Sequence, residues 1–174
     1  MRPIRVLAAM ALAVIGLWLV NGQVRGDDKK SADQAFVRTA DEIGQAEVKL
    51  GRIAEEYGAS DAVKKFGARM IEDHTRLGKE IRDLASNKSI NLPDGLDVKH
   101  QQLMDQLSKL RGVAFDRAYA QDMVEGHQKA IDQFETEAAK GQDPDVKAWA
   151  EKSLPALREH LRVAQQLAKE VKGG

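Results

Sequence analysis

Cysteine is absent from the 174 residues, which excludes a disulfide scaffold, a thiol nucleophile and a lipid carried on cysteine. Aromatic residues make up only 5%, and no stretch alternates polar and apolar residues as a membrane β-barrel strand must. Charge of either sign is not in excess: 27 basic residues face 27 acidic ones, so no broad basic surface recommends nucleic acid as a partner. The G-x-S-x-G elbow, the phosphate-cradling glycine loop and the H-E-x-x-H helix are all missing, and no nucleophile constellation recommends an enzyme. What is present is helical composition: Ala, Leu, Lys, Glu and Gln dominate, with 43% hydrophobic and 31% charged residues. The length suits one domain with a real core.

Only one apolar run is long. VLAAMALAVIGLWLV (Val6 to Val20) follows Arg2 and Arg5, and a plausible cleavage site falls after Gly22. The run is 15 residues, short of the roughly 20 that span a bilayer. Residues 1–22 therefore read as an export signal, which predicts a periplasmic, secreted or cell-envelope protein. The other reading is a retained anchor, giving membrane association through residues 4–20. Cleavage would leave 25 basic against 27 acidic residues.

Residues 23–30 (QVRGDDKK) read as a polar linker before a domain at 31–172. Ser31 with Gln34 makes a capping-box start for a first helix to about Tyr57, with Phe36, Ala40, Ile43, Glu47, Leu50, Ala54 and Tyr57 spaced by threes and fours. Gly58 stops it, and Ser60 with Asp61 opens a second helix, about 61–88, carrying Val63, Gly67, Met70, His74, Leu77, Ile81 and Leu84. Turn residues from Ser86 to Gly95 lead to a shorter segment with Leu96, Leu103, Leu107 and Leu110 on one side. A third long helix, about 113–140, aligns Asp116, Ala120, Met123, His127, Ala130 and Phe134, flanked by Phe115, Tyr119 and Ile131. After Gly141, Asp143-Pro144 supplies a capping carboxylate and a first-turn proline for a fourth, about 143–171, with Val146, Ala150, Ser153, Leu157, His160, Ala164, Leu167 and Val171. Pro155 inside it should kink the helix.

Four such stripes predict an all-α fold, a four-helix bundle whose long crossover, between the second and third long helices, contains a short extra helix. AFVR (Ala35 to Arg38) echoes AFDR (Ala114 to Arg117), and VKKF (Val63 to Phe66) echoes VKAW (Val146 to Trp149), consistent with two related hairpins.

Glu47, His74, His127 and His160 each take a core position near the middle of a different long helix. At 1.5 Å per residue all four fall within roughly 5 Å of mid-height, whichever way each helix points. Buried and unpaired they would cost several kcal/mol, so they must be satisfied by one another, by water or by a metal. Three imidazoles and a carboxylate suit one transition-metal ion, Zn, Fe or Cu, with Ni also compatible. The di-iron bundle motif Glu-x-x-His is absent, because Ile71, Val124 and Leu157 stand three residues before the histidines. A buried hydrogen-bond network among the same four residues is the alternative.

Asp73, Asp116 and Tyr119 are the polar residues expected around this layer. Asp73 and Glu159, each preceding a histidine, should face solvent or pair locally. Asp116 is roughly 16 Å from His127 along the axis, too far to share a ligand sphere, and should pair with an arginine or cap a crossover backbone group. Tyr119 should pack with its hydroxyl satisfied. His100, on the short segment, lies off the layer and reads as surface or lid.

The same residues carry a family resemblance. AEVKLGRIAEE (Ala46 to Glu56), VKKFGARMIEDHTRLGKEI (Val63 to Ile81), Leu92-Pro93, GVAFDRAYAQDMVEGHQKAIDQFETEA (Gly112 to Ala138) and LPALREHLRVAQQL (Leu154 to Leu167) resemble the domain of unknown function 4142 family of bacteria, over about residues 32–170. The resemblance implies an exported ferritin-like bundle, with recurrent positions at Glu47, Asp73-His74, Phe115-Asp116-Tyr119, His127 and Glu159-His160. It implies no enzyme activity. The outer-membrane label common in that family does not fit the absent strand alternation. Two functions follow as expectations: a metal-binding or metal-linked stress protein, or a non-catalytic envelope interaction module in which the polar layer only sets helix register.

Overall fold

The computed structural model describes residues 24–173, and the expected export signal at 1–22 lies outside them. Among the described residues there are five helices and no strand: α1 (Val24–Tyr57), α2 (Asp61–Asn87), α3 (Val98–Leu107), α4 (Gly112–Lys140) and α5 (Pro144–Gly173). No helix among them is long and apolar enough to cross a membrane. α1 is helical from Val24, seven residues before Ser31, where the sequence suggested the helix cap. No proline interrupts that stretch. α5 runs as one helix through Pro155.

The helices pair as two hairpins, α1 with α2 and α4 with α5, and the hairpins pack with α1 against α4 and α2 against α5. The α2 stripe is buried as predicted from Val63 to Ile81, with Leu84 half-buried. Every predicted inward residue of α4 from Asp116 to Phe134 is buried. Only α1 is turned slightly from its predicted face, Val37 entering the core while Phe36 packs at its margin.

Two aspartates tie the hairpins together reciprocally. Asp116, near the start of α4, accepts the backbone N–H groups of Ala59 (2.8 Å) and Ser60 (2.9 Å) in the α1–α2 turn. Asp33, nine residues into α1, accepts those of Gln142 (3.0 Å) and Asp143 (2.7 Å) in the α4–α5 turn. Each hairpin therefore caps the other's turn, at opposite ends of the molecule, and the crossover must carry the chain from one end to the other. The expected role of Asp116 in the crossover is thus corrected. Asp116→Ala removes two charge-assisted bonds from turn N–H groups that water can reach, and should cost about 2–3 kcal/mol in urea unfolding.

The α1–α2 crossing is unusually close. A Cβ on Gly67 would lie 2.7 Å from the Gly51 carbonyl oxygen, and one on Gly51 would lie 2.7 Å from that of Gly67. Backbone meets backbone there, so a methyl group cannot be accommodated by a rotamer change. Gly67→Ala should destabilise by about 1–3 kcal/mol despite alanine's better helix propensity. An unchanged or raised denaturation midpoint would contradict this packing.

The apolar core forms two clusters. The lower one gathers Val37, Ala40, Leu77, Ile81, Ile131, Phe134, Trp149 and Leu157, and the upper one Leu50, Ala54, Phe66, Met70, Tyr119, Met123, Ala164 and Leu167. What separates them is polar.

Candidate metal centre

Each helix of the pair of hairpins contributes one polar residue at the boundary between the clusters. Glu47 stands between Ala40 below and Leu50 above, His74 between Leu77 and Met70, His127 between Ile131 and Met123, and His160 between Leu157 and Ala164. All four are buried, from 6% exposure at Glu47 to 0% at His160. The register that places apolar residues in both clusters leaves no other level for them.

His74, His127 and His160 each offer one ring nitrogen, and these atoms lie within 4.8 Å of one another. Their ring centroids are 5.3–5.9 Å apart. A tetrahedral ion held at roughly 2.0–2.1 Å requires nitrogen–nitrogen separations of roughly 3.4 Å. Contraction by little more than 1 Å, within reach of small χ adjustments, would bring the three to an ion.

Hydrogen bonds on the far nitrogens aim two of the rings. His127 Nδ1 donates to the Met123 carbonyl at 2.9 Å, leaving its Nε2 lone pair facing inward. His160 Nε2 donates to Asp73 Oδ2 at 2.9 Å, leaving Nδ1 facing inward. A carbonyl or a carboxylate behind an imidazole is the arrangement that orients metal-binding histidines and raises their basicity as ligands. His127 Nε2, His160 Nδ1, His74 Nε2, Glu47 Oε2 and the Tyr119 hydroxyl are buried with no hydrogen-bond partner among the described residues. Five such atoms in one interior region are far outside the ordinary satisfaction of buried polar groups.

Electrostatics keep the rings neutral. Burial pushes His127 down to about 4, with His160 adding to the effect. Burial and the two neighbouring imidazoles hold His74 well below the usual range. Burial also lowers His160, although Asp73 opposes it. For Asp73, burial works upward but is outweighed by the hydrogen bonds from His160 and Arg76, and its carboxyl falls to about 2. A neutral imidazole is the form that binds a metal.

Glu47 lies in the same layer but is not one of the atoms within mutual reach. Its Oε1 is close to α4 at Gly126, where a Cβ would sit 3.8 Å away. Burial, with Asp122 adding repulsion, pushes its carboxyl up to about 8. A cavity of ≈ 20 Å³ adjoins Glu47, His74 and His127, room for one water-sized particle.

Asp73 does pair locally, with Arg76 at 2.9 Å, but it also reaches across to His160, a contact not expected from sequence. Glu159 pairs with Arg162 as expected of a surface residue and touches Arg69 at 3.4 Å. Tyr119 is fully buried, but its hydroxyl is unsatisfied, contrary to expectation. Asp116 does not support the centre, since both its oxygens serve the α1–α2 turn. Asp122 and Gly126 were not anticipated. Gly126 carried a signal: a glycine inside a helix costs about 1 kcal/mol and often marks space left for a neighbour.

The fold has solved counterparts. A DUF305 fragment from Deinococcus radiodurans superposes with a TM-score of 0.71 at 13% identity, over 80% of this chain and 96% of that one. A DUF305 protein from Streptomyces coelicolor, described as secreted, gives 0.68 at 16% identity, over 81% and 94%. At these identities the likeness concerns the fold alone. No curated protein matches the sequence. The family model Domain of unknown function (DUF4142) matches residues 21–167, nearly all of the described helices, and the chain belongs to that family.

Proposed function

We propose that this protein is an exported, ferritin-like four-helix bundle of the cell envelope whose centre holds one transition-metal ion on His74, His127 and His160, with Glu47 as an available carboxylate beside it. The observation that carries this reading is that the three histidines bring ring nitrogens within 4.8 Å of one another, while each keeps one buried, unpartnered nitrogen and two are held by hydrogen bonds on the other. Three histidines with a further position open suit Zn, Cu or Fe. Export is supported by the positive, apolar N-terminal run and by the description of one structural neighbour as secreted. The chain order, two hairpins joined by a crossover running end to end, supports the ferritin-like arrangement.

The test is elemental analysis of purified protein after loading with Zn²⁺, Co²⁺ or Cu²⁺ and desalting. One ion per chain is expected; no stoichiometric metal under any of the three conditions would overturn the reading.

A second reading draws on the small cavity. One water donating two hydrogens, with a protonated Glu47 donating a third, would match three imidazole lone pairs in number. The layer would then set helix register in a non-catalytic envelope module. Replacing all three histidines with Leu or Met would in that case preserve both fold and cellular role.

A further inference from the structure

Glu47 touches two spaces, the small cavity beside the histidines and a cleft of ≈ 600 Å³ between α1, α3 and α4. At the cleft, Glu42 of α1, Asp97 before α3 and His100 of α3 each bring one ligand atom within 4.8 Å of the others. Asp97 has a local duty, since its Oδ1 accepts the His100 backbone N–H at 2.8 Å as the cap of α3. The His100 ring Nδ1 lies 3.0 Å from the same oxygen. Glu42 comes from a different helix, and α3's own capping does not account for it.

The second, independent feature is Glu47 itself. It is 6% exposed, lines the inner side of the same cleft, and its Oε2 has no hydrogen-bond partner among the described residues. Glu42 and Glu47 are five residues apart on α1, roughly 7 Å along the axis. Asp122 and Glu125 add negative charge to the lining, against Lys99 and Lys129. Such an acid-rich cleft concentrates cations.

We propose that this cleft is the route by which a divalent cation reaches the histidines, with Glu42, Asp97 and His100 as an outer docking site and Glu47 as the carboxylate between the two sites. The inner destination rests on the three-histidine reading above. One imidazole and two carboxylates bind Zn²⁺ or Co²⁺ more weakly than three buried imidazoles oriented from behind, as a transfer site requires. Occupancy would also pin α3 against α1.

The experiment combines equilibrium dialysis with stopped-flow absorbance, using Co²⁺ on the full chain, the double variant E42Q/H100A and the single variant H127A. The natural chain should bind two ions, one tightly and one weakly. E42Q/H100A should keep the tight ion with affinity within about threefold, lose the weak one, and load at least tenfold more slowly. H127A should keep only the weak ion. Unchanged loading rate and stoichiometry in E42Q/H100A overturns the route while leaving the histidine site standing. A single ion lost in E42Q/H100A but kept in H127A supports the outer site and removes its destination. No binding in any chain removes both. Glu42 and His100 are only half-buried, so circular dichroism of the double variant should match the natural chain.

Discussion

Replacing His127 with alanine should weaken Co²⁺ or Zn²⁺ binding at the centre by at least about a hundredfold. Removing a group that merely supports a ligand costs roughly 10–100-fold, and His127 is itself one of only three proposed ligands, so its loss belongs at or beyond the upper end. Asp73→Asn supplies the comparison. Asp73 holds His160 Nε2 from behind at 2.9 Å, and its amide can no longer offer a full negative charge to that N–H. Its effect should stay within roughly 10–100-fold, measured by competition with a chelator of known affinity. Equal binding in the natural chain and His127→Ala would mean the ion sits elsewhere. The variant's stability should be followed separately in EDTA, because deletion of a buried ring leaves a cavity whatever the metal does.

The second large effect concerns Glu47 and pH, with metal removed. Its carboxyl ordinarily titrates at 4.5 and is raised to about 8 in the fold, by burial first and by Asp122 second. Below pH 4.5 both states hold the proton. Between 4.5 and 8 the unfolded chain releases it while the folded chain keeps it, so stability from this group falls as pH rises and levels off above 8. His127 acts in the opposite sense and in another window: lowered from 6.5 to about 4, it removes stability as pH falls from 6.5 toward 4. The difference between the natural chain and Glu47→Gln, followed from pH 6.5 to pH 8.5, isolates Glu47, because the histidine contributions are common to both chains. Relative to Glu47→Gln, the natural chain should lose roughly 2 kcal/mol across that interval. At pH 8.5 the variant should be the more stable, by a margin on the order of 4 kcal/mol. A variant less stable than the natural chain at pH 8.5 would mean that Glu47 is ionised and well paired, against the unpartnered Oε2 seen here.

Much of this could be read from spacing alone. The stripe Val63, Gly67, Met70, His74, Leu77 and Ile81 names the buried face of α2 because each apolar position must meet a neighbour, and a polar residue in that register must come inward with it. The same argument brought His127 and His160 inside. It could not say how each ring is rotated about its χ angles. That is why Asp73, adjacent in sequence to His74, was not seen to serve His160 across the interface instead. Nor could it separate Glu47 from the histidine set. Glu47 shares their level, but its carboxyl leans toward α4 at Gly126, a displacement set by how α1 and α4 sit side by side. The turn-capping of Asp116 was hidden for a related reason. Its reach to Ala59 and Ser60 depends on hairpin meeting hairpin, 56 and 57 positions apart in sequence. The start of α1 was missed because a polar segment without a stripe gives periodicity nothing to detect.

The most direct test of the central claim is a crystal structure of the Co²⁺-loaded protein with anomalous diffraction at the cobalt edge. The account predicts one strong anomalous peak between α2, α4 and α5, roughly 2.0–2.2 Å from His74 Nε2, His127 Nε2 and His160 Nδ1. A fully loaded crystal whose only peaks lie outside that layer, with the three rings bridged by water, would contradict it.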